Sequence, residues 1–175
     1  MTMEKAIYTG SGMWILWDYE QYKGIDSYDD WEPVFLEDED IEKQIEIAKA
    51  VPINIHSDGC FQFRIKVNEA LDERECKYVC VKSEEYRLVT DGVIVLSGLE
   101  NIYGNVTGDE CIKVKLEKGG YSVTVYLIEW DAEPGMKKAD GSPMPDALPD
   151  FIVLIQEEKT VGKEYRKVVD TFGEP

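Results

Sequence analysis

Cys111-Ile112-Lys113-Val114-Lys115-Leu116-Glu117-Lys118-Gly119-Gly120-Tyr121-Ser122-Val123-Thr124-Val125-Tyr126-Leu127 alternates apolar and polar side chains on both sides of a glycine pair. A period of two puts Ile112, Val114 and Leu116, and then Tyr121, Val123, Val125 and Leu127, on one face of a strand. A helix would scatter them around its axis. The stretch predicts two strands joined by a hairpin at Lys118-Gly119-Gly120, with Ser122, Thr124 and Tyr126 pointing away from the core.

The same pattern recurs upstream. Ile53 and Ile55 precede a turn, and Phe61, Phe63, Ile65 and Val67 follow it, with Gln62, Arg64 and Lys66 on the other face. The two stretches look like loose copies, although any two sandwich hairpins would alternate in this way. Between them, Thr90-Asp91-Gly92-Val93 places Asp-Gly between apolar strands, the signal of a type I′ hairpin. Strand patterns occur at 5–9, 13–17, 52–55, 61–67, 76–81, 86–90, 93–96, 112–116, 121–130 and 151–155. One short helix is expected from Asp38 to Ala50, where Ile41, Ile45 and Ala48 recur at helical spacing behind an acidic first turn. The expected fold is mainly β: a two-sheet, mostly antiparallel β-sandwich with that one helix. Residues 1–175 are expected to form a single domain, with a Pro-rich excursion at 132–149 between the last two core strands.

Charge narrows the function. Against 36 Asp plus Glu stand 19 Lys plus Arg and one His, a formal net charge of −17. Such a chain repels phosphate backbones and anionic lipid, so nucleic acid and membranes are not expected as partners, and a basic protein is. The first residues lack a signal-peptide pattern and no apolar run is long enough to cross a bilayer, which points to a cytoplasmic protein. There the cysteines, Cys60, Cys76, Cys80 and Cys111, are expected to be reduced and to pack as small hydrophobes. Cys76 and Cys80 on one strand face would stand about 13 Å apart, too far for a disulfide.

Nothing marks an active site. A lone His56 excludes centres that need two imidazoles, and Ile55-His56-Ser57-Asp58-Gly59 reads as a turn, because consecutive side chains diverge. Gly10-Ser11-Gly12 lacks the third glycine and the helix of a dinucleotide fingerprint. The Asp26, Asp29, Asp30 group and the Glu37 to Asp40 run lack the spacing of a calcium loop. No catalytic pair, cofactor or metal is therefore expected, and the chain reads as a binding protein.

The candidate surface lies between Trp17 and Glu42. This segment holds eleven acids and one base, Lys23, and so ten of the seventeen net negative charges. Aromatic side chains are interleaved with the acids. Trp17, Asp18, Tyr19, Glu20, Tyr22, Asp26, Tyr28, Asp29, Asp30 and Trp31 are the expected partner-binding residues, the rings supplying contact area and the carboxylates speeding encounter. An alternative uses Trp17, Tyr19 and Trp31 as a stacking platform for a carbohydrate or other small ligand.

Several short motifs occur in a particular order. An aromatic strand at 13–17 is followed by Asp30-Trp31, Ile41-Glu42-Lys43, Phe61-Gln62-Phe63-Arg64, the Lys118 to Tyr121 turn leading to Trp130, and Asp150 opening an apolar strand at 151–155. In this order the chain resembles the competence protein J family, bacterial inhibitors of the DNA-entry nuclease, and related acidic β-domains found near toxin genes. The resemblance spans most of Tyr8 to Glu157, and the Pro-rich excursion and the tail lie outside the pattern. It implies tight binding to a nuclease whose basic cleft suits an acidic inhibitor, that is, an inhibitor or immunity-type role. It transfers no binding residues, because the matched positions are mostly core.

Overall fold

The computed structural model describes residues 1–160 and 162–173; Val161, Glu174 and Pro175, part of the single unit expected over 1–175, lie outside the described residues. Among the described residues ten strands form two sheets, and four short helices join them. In chain order these are β1 (Thr2–Thr9), β2 (Met13–Asp18), α1 (Tyr19–Tyr22), α2 (Tyr28–Phe35), α3 (Asp38–Glu46), β3 (Ala50–Asn54) and β4 (Gly59–Val67). They continue with α4 (Glu73–Lys77), β5 (Val79–Lys82), β6 (Tyr86–Thr90), β7 (Val93–Gly98), β8 (Cys111–Lys115), β9 (Gly119–Ile128) and β10 (Phe151–Glu157). The smaller sheet runs β3-β2-β7-β8; the larger runs β1-β4-β10-β9-β5, with β6 on the other half of the β9 edge. Among the described residues only β10 with β4 is a parallel pair, so the mainly antiparallel sandwich expected from the alternation is what forms.

The sheets face each other across an aromatic core. Trp14 packs on Phe61 and Phe63 at centroid distances of 5.2 and 5.3 Å, and Phe63 stacks on Phe151 at 5.0 Å. Trp14, Phe63 and Phe151 are fully buried, each worth on the order of 2–3 kcal/mol of transfer free energy. Trp14 Nε1 meets the Ile7 carbonyl at 3.1 Å, which satisfies its one donor inside the core.

The connections correct the hairpin reading. β8 pairs with β7 in the smaller sheet and β9 with β10 in the larger one, so Lys118-Gly119-Gly120 is a corner at which the chain changes sheet. The same is true of Asp91-Gly92 between β6 and β7, and of the turn between β3 and β4. A type I′ turn needs positive φ at both central residues, and here only Gly92 has it, at 129°. Alternation reports which face of a strand is buried; it is silent on which neighbour the strand bonds.

The two similar stretches are nevertheless related. β1 lies in the larger sheet, β2 and β3 in the smaller, β4 in the larger; β6, β7, β8 and β9 repeat that itinerary. Their central strands, β2 and β7, pair antiparallel, and β10 is inserted between β4 and β9. The resemblance between the stretches is thus one of topology as well as of alternation.

The expectation of a single helix is also corrected. α3 ends at Glu46, short of Ala50, because Ala48 turns to φ 57° and closes a Schellman motif: its N–H meets the Ile45 carbonyl and that of Lys49 meets the Gln44 carbonyl. Three further helices start on side-chain caps: Asp18 for α1, Ser27 for α2, and Asp72 for α4 in a reciprocal capping box with Glu75. α4 takes Cys76 out of the strand expected at 76–81, leaving only β5. Cys60, Cys76 and Cys80 are exposed and only Cys111 is buried, so three of the four cysteines are not the packed hydrophobes expected. All four are free thiols.

The 132–149 segment does run between β9 and β10, which pair with each other. With α4 it covers part of the outer face of the larger sheet, where Leu148, Ile128 and Ile152 form a second, small apolar cluster. Beyond β10 the chain crosses to the smaller sheet. There Thr171 Oγ1 accepts from the Asn54 N–H at 2.8 Å and donates to the Pro52 carbonyl at 2.8 Å. Among the described residues no helix is long and apolar enough to cross a membrane.

Candidate partner-binding surface

The acidic aromatic segment folds into α1, α2 and the start of α3 over one end of the smaller sheet. Asp18, at the end of β2, is fully buried. Its carboxylate accepts from Thr90 Oγ1 at 2.8 Å, the Asp91 N–H at 3.0 Å, Lys49 Nζ at 3.1 Å and the Gln21 N–H at 3.3 Å. It both starts α1 and ties that helix to the corner between β6 and β7.

The rings form a continuous file from surface to core. Tyr28 stacks on Trp31 at 5.8 Å, Trp31 meets Phe35 at 6.2 Å, Phe35 meets Tyr22 at 5.0 Å, and Tyr22 meets Trp17 at 6.2 Å. Trp17 then stacks on Tyr19 at 6.1 Å. Trp17 Nε1 donates to Ser97 Oγ and Trp31 Nε1 to the Leu99 carbonyl, both at 3.0 Å. Burial, with Asp18 nearby, pushes the Tyr22 phenol well above its ordinary range, and its hydroxyl is held by Gln44 at 3.0 Å.

Burial divides the ten expected residues. Trp17, Asp18, Tyr22 and Trp31 are buried and Tyr19 is half-buried, whereas Glu20, Asp26, Tyr28, Asp29 and Asp30 are exposed. The buried four hold the helices on the sheet and present little to solvent. Glu32, Glu37, Asp38 and Glu39 are exposed as well, and extend the surface beyond the expected set. Their signal was in the sequence: no base occurs between Lys23 and Lys43. Two apolar side chains are exposed at the ends of this stretch, Leu36 at 47% just before Glu37 and Ile47 at 53% just after α3.

The exposed carboxylates are unequal. The Asp26 carboxyl is raised by its hydrogen-bonding contact with Asp30 and by that group's charge. The Asp30 carboxyl is lowered, first by Ser27, whose hydroxyl donates to it at 2.8 Å, and then by Asp26. Two like charges in contact separate in this way. Among the described residues no group of three or more His, Cys, Asp or Glu side chains is placed to hold a metal ion. A groove of about 860 Å³ lies elsewhere, between Thr124 and Tyr126 on the larger sheet and the segment carrying Lys163 and Arg166.

Solved structures share this fold. One, described as crocagin biosynthetic gene J, has a TM-score of 0.58 at 16% identity, covering 91% of this chain and 98% of the other. A second, ComJ, inhibitor of the DNA degrading activity of NucA, from Bacillus subtilis, has a TM-score of 0.51 at 8% identity, covering 89% and 96%. The resemblance to competence protein J read from the sequence is thus met at the level of the fold. No protein-family model matches the chain, and no curated protein sequence matches it.

Proposed function

We propose that the chain is a cytoplasmic, non-enzymatic inhibitor or immunity-type protein that neutralises a basic nuclease or toxin with the exposed side of α1, α2 and α3. The observation that carries this reading is the distribution of charge on those helices. Their inner sides are anchored by Trp31, Phe35, Ile41 and Ile45, and their outer sides carry Glu20, Asp29, Glu32, Glu37, Asp38 and Glu39. Such a face supplies to a cationic cleft the array of negative charge that a phosphate backbone would supply. A fold shared with an inhibitor of DNA degradation by NucA is in keeping with it. The carbohydrate alternative loses support, since two of the three rings of its platform, Trp17 and Trp31, are buried.

The test is DNA cleavage by the nuclease or toxin encoded nearest to the gene, with and without this protein. Inhibition is expected at equimolar protein and is expected to weaken as salt is raised. Asp29→Lys combined with Glu32→Lys is expected to weaken it about tenfold or more with little change in thermal unfolding. Inhibition indifferent to that reversal removes the helical face; no inhibition and no binding removes the reading.

A further inference from the structure

β1 is an open edge. Met1 and Val67 exchange backbone hydrogen bonds, N–H of Val67 to the Met1 carbonyl at 2.9 Å and the Met1 amino group to the Val67 carbonyl at 3.2 Å. Residues directly opposite in an antiparallel ladder alternate between bonded and non-bonded pairs. Continued through the β1–β4 register, this parity bonds Met3, Lys5, Ile7 and Thr9 to β4 and turns the N–H and C=O of Thr2, Glu4, Ala6 and Tyr8 away from it. None of these outward groups hydrogen-bonds to another backbone or side chain among the described residues. Their four residues are all exposed.

Among the described residues β3 and β6 are covered in part and β8 at one carbonyl, while β5, the opposite edge of the larger sheet, has no such cover. At β3, Thr171 takes both the Asn54 N–H and the Pro52 carbonyl. β6, which holds in the second half of the fold the place β1 holds in the first, gives its Val89 N–H to the Ala48 carbonyl, and the Glu85 carbonyl just before it receives the Arg166 N–H. At β8, the Cys111 carbonyl is met by Lys5 Nζ at 3.2 Å. β1 carries no proline and no bulge; of the charged side chains that also blunt such an edge it has Glu4, paired with Arg64, and Lys5.

We infer that β1 is a docking edge that accepts an extended strand of a basic protein partner, adding a strand to the larger sheet. Charge selects this occupant over a second copy of the chain: two copies would bring together net charges of −17 each, whereas a lysine- or arginine-bearing strand is attracted by the same field. The exposed carboxylates of Asp109 and Glu110 follow Gly108, whose carbonyl is bonded to Lys5 of β1. The partner's basic character rests on the inhibitor reading; the place of docking does not.

Proline at a position whose N–H faces out of the sheet leaves the existing ladder intact. The test therefore uses the Ala6→Pro variant and, as probe, a synthetic peptide of alternating Lys and Val about eight residues long, compared with its Glu-Val counterpart. Hydrogen exchange is expected to show the amides of Thr2, Glu4, Ala6 and Tyr8 protected by the Lys-Val peptide and not by the Glu-Val peptide. Ala6→Pro is expected to weaken that binding about tenfold or more, with the circular dichroism spectrum unchanged. Should Ala6→Pro fail to fold, Ala6→N-methyl-alanine made by ligation blocks the same group. Protection confined to α2 and α3, binding unaffected by the edge variant, no binding of either peptide, or a dimer of the free protein that the variant dissociates would each overturn the inference. The first of these leaves the inhibitor reading standing, and loss of nuclease inhibition with β1 still protected by the peptide would remove that reading instead.

Discussion

Lys66 Nζ lies 2.7 Å from Glu75 Oε2 on the outer side of β4, both side chains buried beneath α4. Arg64 Nη1 holds the other carboxylate oxygen at 2.7 Å, and the Asp72 N–H donates to Glu75 Oε2 at 2.8 Å. One carboxylate thus pins a short helix to a strand.

Removing one partner should strand the other. Glu75→Ala leaves Lys66 buried with its charge uncompensated and is expected to cost about 3–5 kcal/mol, while Glu75→Leu with Lys66→Met recovers most of the loss. Urea unfolding of the single and double variants checks this; equal stability of wild type and Glu75→Ala would contradict it.

The same carboxylate makes stability depend on acid. Burial alone would raise the Glu75 carboxyl, but Lys66, the Asp72 N–H and Arg64 together hold it below its ordinary value of 4.5. A group lowered on folding stabilises the fold above its unfolded value and ceases to do so as pH falls through its folded one. The urea midpoint is therefore expected to fall on acidification below about pH 4.5. The fall should be shallower in Glu75→Leu with Lys66→Met, a difference that a pH series of unfolding curves reads directly.

Asp18 is a structural carboxylate. Asp18→Ala deprives buried Thr90 and the Asp91 N–H of their acceptor and leaves the half-buried Lys49 ammonium with Asp91 alone, and is expected to cost about 2–3 kcal/mol. Thr90→Val, which removes one donor to Asp18 and the acceptor of the Gly92 N–H, should cost nearer 1 kcal/mol. Thermal unfolding ranks the two; a larger loss for Thr90→Val would refute the assignment.

Gly104 approaches the Lys23 carbonyl so closely that a Cβ would collide with it, and its own N–H donates to the Ile25 carbonyl at 2.9 Å. Gly104→Ala is expected to destabilise by about 1–3 kcal/mol. It should also loosen Tyr19, whose hydroxyl donates to the Gly104 carbonyl at 2.9 Å. Chemical-shift changes centred on α1 would show this.

Cysteine accessibility gives a labelling pattern. Cys60, Cys76 and Cys80 are exposed, while Cys111 is buried and its thiol is raised by that burial. Iodoacetamide on the native protein should add three carbamidomethyl groups before a fourth, the last appearing only on unfolding. Early modification of Cys111 would contradict the packing around it.

The strands were legible because each keeps one face in the shared core, as Ile112 and Val114 do before the glycine pair and Val123 and Val125 after it. Partnering was not, since Asp91-Gly92 signals a reversal of direction equally well within a sheet or between two. The caps of α2 and α4 were present as Ser27 and as Asp72 with Glu75, but those helices are too short for a periodic apolar pattern to stand out. In the candidate surface, composition marked the run of acids but did not separate buried Asp18 from exposed Glu20, Asp26, Asp29 and Asp30. It could not divide Trp31 from Tyr28, because which of two stacked rings faces water depends on the chain around Leu99.

The insertion of β10 between β4 and β9 also bears on how the chain is made. Among the described residues β10 is the last strand in sequence and the middle one of its sheet. Until it leaves the ribosome, β1 with β4 and β6 with β9 are separate ribbons with apolar faces unsealed. Closure of the larger sheet must then wait until β10 has been synthesised, at about 5–20 residues per second. With its corners crossing between sheets, the chain is expected to close on the millisecond-to-second scale of non-local β topologies.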